Sequence, residues 1–167
     1  KTSFCAWKLF SSGLSSPFLS HSHSLSPSRA MLRRLLSTST KSAMPMIRVA
    51  TNVETTKIPA DFEVKLTDLL AESMGKPRER IMIEVDAGRR IMHGATPGPV
   101  CHIVIKSIGC VGEQLNIQHT QRVTEFVQGV MGVPKDKIIL EFYDLTPHQV
   151  GFNGTTVADA VAKREGK

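Results

Sequence analysis

Gly75-Lys-Pro-Arg-Glu-Arg-Ile-Met-Ile-Glu-Val-Asp86 returns 57 residues later as Gly132-Val-Pro-Lys-Asp-Lys-Ile-Ile-Leu-Glu-Phe-Tyr143. Each copy carries a glycine and a proline two residues apart, a charged triplet, and then a strand-like run. Glycine accepts the left-handed conformation that ends a helix, and proline cannot continue one. Helical spacing does lead into each stop: Phe62, Leu66, Leu69, Leu70 and Met74 before the first, and Val123, Phe126, Val127, Val130 and Met131 before the second. An apolar run precedes each helix in turn, Met46 to Thr51 and Cys101 to Ile108. The expected architecture is β-α-β twice, an α/β fold of ferredoxin-like kind with two helices on one face of a four-stranded mixed sheet.

Alternation along the strands describes the other face. Ile81, Ile83 and Val85 point one way and Met82, Glu84 and Asp86 the other; Ile138, Leu140 and Phe142 likewise oppose Ile139, Glu141 and Tyr143. The first set suits helix packing. The second mixes Met82, Val104 and Ile139 with charges, a surface suited to contact with another subunit.

Composition changes sharply near residue 44. The first 43 residues hold thirteen serines and no acid, so they bury too little apolar surface to offset the entropy of ordering. Residues 1–44 are expected to be a disordered leader ending in an initiator Met44, and 45–167 a single domain. Met31-Leu-Arg-Arg-Leu-Leu-Ser-Thr-Ser-Thr-Lys-Ser has the look of a mitochondrial transit peptide. A secretory signal fits less well, for want of an apolar stretch after a basic start. Because the chain starts at Lys1 rather than Met, untranslated upstream sequence is the preferred origin and a transit peptide the second.

The net charge of +6 belongs to this leader, which holds six of the 21 basic residues and leaves fifteen of each sign from Pro45 onward. A nucleic-acid surface needs clustered Lys and Arg, and an RNA-binding sheet needs exposed aromatics; Tyr143 stands alone among Glu84 and Glu141. No nucleic-acid partner is expected. Nothing approaches the ~20 apolar residues of a membrane span, so no insertion is expected either. Cys101 and Cys110 have neither disulfide-framework nor zinc spacing. The adjacent Cys101 and His102 point to opposite faces and cannot share a metal while the strand is regular. No metal and no cofactor is expected.

These residues resemble the macrophage migration inhibitory factor family, within the tautomerase superfamily, and most closely its nematode branch. Met44-Pro-Met-Ile-Arg-Val-Ala-Thr-Asn-Val is similar to the family's opening, with proline directly after the initiator. Leu66-Thr, Gly75-Lys-Pro, Ser107-Ile-Gly and Val150-Gly-Phe-Asn-Gly-Thr-Thr fall at the matching intervals. The resemblance implies a homotrimer whose sheets line a central channel, with a pocket at each subunit boundary. It also implies cofactor-free keto–enol tautomerisation of phenylpyruvate- or dopachrome-like compounds. Cytokine-like signalling through a cell-surface receptor follows from it too, after leaderless secretion, with a cytoplasmic pool. A mitochondrial location is the alternative if residues 31–43 are a genuine transit peptide.

The chemistry rests on Pro45. Once Met44 is removed, its nitrogen is a secondary amine rather than an amide. An α-amino group titrates at about 7.7–8.0, and an apolar pocket lowers this further, giving a general base near neutral pH. Met46 and Ile108 supply apolar wall. The resemblance places Lys76 in the pocket, where it would hold a substrate carboxylate or a developing enolate; a lysine just past a helix also serves as a C-terminal cap. Glu141 and Phe152 complete the substrate-binding set, while Arg48 and Arg80 read as solvated strand-end charges. Many members carry Tyr and Asn where this chain has Ile139 and Glu141, so turnover of phenylpyruvate-type acids is expected to be weak or the substrate different. Val100 and Ile103 replace the Cys-x-x-Cys of some members, which removes thiol oxidoreductase chemistry through that motif. The competing function is a secreted immunomodulatory ligand with vestigial catalysis.

Overall fold

Alternate β-branched residues set the central strand. In β1 (Met46–Thr51), Ile47 and Val49 are fully buried while Arg48 between them is exposed. β1 runs parallel to β2 (Met82–Asp86), with Met46 opposite Met82, and antiparallel to β3 (Cys101–Ser107), with Met46 opposite Lys106. β3 pairs in parallel with β4 (Ile138–Asp144). The sheet order is β2-β1-β3-β4, so two parallel crossover units meet at one antiparallel seam. This computed structural model describes residues 44–166. The leader expected over residues 1–44 lies, Met44 apart, outside the described residues.

Each parallel pair is bridged by a helix. α1 (Phe62–Met74) buries Phe62, Leu66, Leu70 and Met74; α2 (Glu113–Met131) buries His119, Val123, Val127 and Met131. The helices touch through the Phe62 and Phe126 rings, 5.4 Å between centroids. The stops work as the repeat suggested. Gly75 and Gly132 take φ of +61° and +67°, and a proline and a single 3-10 turn (Arg78–Arg80, Lys135–Lys137) lead into the next strand.

One polar group is buried within the α2 stripe. His119 Nδ1 is 2.6 Å from Ser73 Oγ on the facing helix, and Nε2 is 3.0 Å from the Cys110 carbonyl. A carbonyl only accepts, so Nε2 carries the hydrogen, and a neutral ring takes the Ser73 hydroxyl proton at Nδ1. The ring thereby ties α1 to the loop before α2.

Several particulars differ from expectation. β3 ends at Ser107, one residue early, because Ile108 turns away into a second small core with Val150 and Val157. Arg48 is no strand-end charge: it sits mid-strand and pairs with Glu84 (3.5 Å) and Asp86 (2.9 Å). Beyond the duplicated frame come a hairpin, β5 (Gly151–Phe152) and β6 (Thr155–Thr156), and a third helix, α3 (Val157–Glu165). Thr156 caps α3, accepting from the Asp159 N–H at 3.2 Å. Among the described residues no helix is long and apolar enough to cross a membrane.

Candidate active site

Strand direction decides what can meet Pro45. β1 and β2 begin at the sheet end where β3 and β4 finish. Pro45 is buried immediately before β1, and its carbonyl accepts the Met82 N–H at 3.0 Å. The turn from Lys76 into β2, the Ser107-Ile108 exit of β3 and the Asp144-Leu145 exit of β4 therefore lie at that same end of the sheet. Ile108, 9% exposed, packs with Val150 and Val157, and Met46 and Leu145 border them. Met46 also faces a hollow of about 280 Å³ on the open side of the sheet, with Met82, Glu84, Val104 and Lys106.

Lys76 is the telling residue. It follows Gly75 directly, its N–H donating to the Ala71 carbonyl at 3.0 Å, so the helix cap fixes its backbone. It is only 4% exposed. The matching position of the second repeat is Val133, at 0% exposure in the main core. An amine thus occupies a place for which the same frame elsewhere selects a hydrocarbon.

Ser107 was missed as a functional candidate. It lies one residue beyond the Met46–Lys106 pair, on the flank of Pro45. It is fully buried, and its Oγ has no hydrogen-bond partner among the described residues. Such orphans are uncommon, and at an active site they mark a place kept for a ligand or a reacting group. The sequence showed the Ser-Ile-Gly string, but an unsatisfied hydroxyl is visible only in three dimensions.

Two expected residues lie outside the cluster around Ile108. Glu141 is on β4, two strands from β1, so one chain does not bring it to Pro45. It lies on the open face beside His102 (3.3 Å) and accepts from the Tyr143 hydroxyl at 2.9 Å. That bond to the carboxylate holds the phenol protonated and pushes its pKa up. Ile139 is exposed on the same face. Phe152, 52% exposed, sits on the hairpin under the Arg80 guanidinium, 5.9 Å from its ring centroid. Arg80 is therefore half-buried against an aromatic ring rather than freely solvated.

The two cysteines of the domain differ in burial. Cys101 and Cys110 are both free, and burial pushes the Cys101 thiol up to about 12. Among the described residues no three His, Cys, Asp or Glu side chains are grouped to hold a metal.

Comparison with known proteins supplies the context. The macrophage migration inhibitory factor (MIF) profile matches residues 44–158. MIF-like protein mif-2 of Caenorhabditis elegans is 59% identical over 120 residues, 72% of this chain and 100% of that protein, in keeping with a nematode-type resemblance. D-dopachrome decarboxylase-B of Xenopus laevis is 35% identical over 115 residues, 68% of this chain and 98% of the relative. Among solved structures, the macrophage migration inhibitory factor from Trichinella spiralis shares the fold at a TM-score of 0.65 and 24% identity, over 66% of this chain and 98% of its own. The Prochlorococcus marinus homologue matches at a TM-score of 0.63 and 26% identity, over 67% and 98%. The chain belongs to the macrophage migration inhibitory factor family.

Proposed function

We propose that this protein is a cofactor-free keto–enol tautomerase in which Pro45, freed of Met44, is the general base. The observation that carries this reading is the Lys76 amine, buried at the sheet end where Pro45 begins β1, in the place the second repeat gives to Val133. A proline amine in a dry site loses much of its preference for the charged form. It then removes a proton from the carbon beside a ketone and returns it, while Lys76 stabilises the oxygen on which negative charge develops. Ile108 and Met46 exclude water and hold an aromatic ring. Relatives named for D-dopachrome support a dopachrome- or phenylpyruvate-like substrate.

Completion of the site calls for a homotrimer. The open face exposes Met82, Ile139 and Tyr143, and Glu141 reaches a Pro45 site only on a neighbouring subunit. Secretion and cytokine-like signalling belong to the proposal through the family's description. Ile139 and Glu141, standing where many members carry Tyr and Asn, favour a secreted ligand with little catalysis as the second reading.

The test compares three proteins: one beginning at Pro45, one retaining an extension before it, and a Pro45→Gly form. Intact mass fixes each N-terminus, light scattering gives the subunit number, and enol-to-keto conversion of phenylpyruvate gives the rate. Turnover confined to the chain beginning at Pro45 is expected. Equal rates in all three would refute the base assignment, and a monomer would refute the assembly.

A further inference from the structure

Seven arginines lie among the described residues, and four of them have carboxylate partners: Arg48, Arg78, Arg89 and Arg122. Arg80, Arg90 and Arg164 have none among the described residues. Two of these three, Arg80 and Arg164, line one hollow of about 100 Å³ together with Phe152, Thr155 and Val157. Nearby acid is already committed elsewhere, since Asp159 takes Lys163 at 2.8 Å and the Thr155 hydroxyl at 2.6 Å. The hollow is thus lined by two arginines and an aromatic residue, with no carboxylate among its lining residues.

Its position matters as much as its charge. Val157 lines it and also packs against Ile108 and Val150, with Met46 at the border. The hollow is therefore one side chain away from the apolar wall beside Pro45. Arg164 comes from α3 and lies past residue 158, where the family match ends. The Arg80 guanidinium lies over the Phe152 ring, and a guanidinium fork matches a carboxylate with two parallel hydrogen bonds. The volume admits one small acidic group and little more.

We propose that Arg80, Phe152 and Arg164 form an anion subsite at the rim of the Pro45 site, selecting an aromatic acid that bears a second carboxylate remote from its reacting carbon. This deepens the tautomerase reading and rests on it for the identity of the reacting end. Calorimetric titration tests it with acids that cannot enolise: 3-(4-carboxyphenyl)propionate against 3-phenylpropionate, on the chain beginning at Pro45. The diacid is expected to bind about tenfold more tightly, the worth of a charge-assisted hydrogen bond discounted for exposure. Arg80→Gln with Arg164→Gln should erase that preference. A diacid that binds no tighter than the monoacid, no binding by either, or a preference that survives in the double variant would each overturn the subsite. Phenylpyruvate turnover on the wild-type preparation reports separately on Pro45. Preference without turnover keeps the subsite and refutes the base; turnover without preference does the reverse.

Discussion

Two buried hydroxyls in this protein should respond to removal with opposite signs. Thr51 and Ser107 are both at 0% exposure, at opposite ends of the central strand pair. Thr51 Oγ1 donates to the Val100 carbonyl at 2.7 Å and accepts from the Val53 N–H at 3.1 Å. Thr51→Val keeps the shape and removes both bonds, leaving a buried carbonyl and a buried N–H unpaired. At about 1–3 kcal/mol for each of the two orphaned groups, the loss should be about 2–6 kcal/mol. Ser107 Oγ has no hydrogen-bond partner among the described residues, so Ser107→Ala removes a desolvated group and breaks no described bond. Burial of an unpartnered hydroxyl costs about 1–3 kcal/mol in proteins, and losing its small packing contribution offsets part of that. A gain of roughly 1 kcal/mol is expected. Urea unfolding of the chain retaining Met44, at one fixed protomer concentration, reads both changes as shifts in midpoint at constant slope. If Ser107→Ala lost as much stability as Thr51→Val, the hydroxyl would be bonded after all, and its reservation for a ligand would be wrong.

Three further outcomes follow from described contacts. His119→Leu should lower stability by about 2–4 kcal/mol, because it strands the Cys110 carbonyl and the Ser73 hydroxyl. A double-mutant cycle with Ser73→Ala should return a coupling of about 1 kcal/mol in urea, and zero coupling would disprove the bond. Arg48, then Arg89, hold the Asp86 carboxyl below the usual carboxylate range. Its stabilising contribution should therefore be present at neutral pH and fade as pH falls through that depressed value. Carbon-13 NMR titration should show the Asp86 midpoint rising in Arg48→Gln, and an unmoved midpoint would exclude Arg48 as the cause. Finally, Cys101 should resist iodoacetamide at pH 8 in the folded protein, given its burial and a pKa near 12. Peptide mass spectrometry showing Cys101 labelled as fast as Cys110 would contradict that.

The frame was legible because its punctuation is strong. Glycine at +61° and +67° followed by proline is chemistry that a sequence states openly, and strand alternation assigned both sheet faces. The contrast between Lys76 and Val133 at matching repeat positions emerged only with their burial. Other features were hidden for definable reasons. α3 is nine residues long and fully buries only Val157, too faint a stripe to separate from a solvated tail. His119 stands one turn before Val123, where a polar letter interrupts the apolar period although its ring is wholly inside. Arg80 read as a solvated charge because nothing in one dimension links it to Phe152, 72 residues away. Ser107 needed an inventory of hydrogen-bond partners that no spacing supplies.

The antiparallel seam between β1 and β3 carries a consequence for how the chain acquires activity. Each β-α-β unit closes over a short span of sequence, whereas joining the units pairs residues up to 60 positions apart, Met46 with Lys106. Long loop closures are the slow events of folding. Pro45 and Lys76 come from one unit and Ser107 and Ile108 from the other, so no half-formed intermediate holds the proposed base, cation and wall together. Newly made chains should therefore acquire helical signal well before catalytic competence. The delay between the two, followed in a single stopped-flow record by far-ultraviolet signal and by product, would time the closing of that seam.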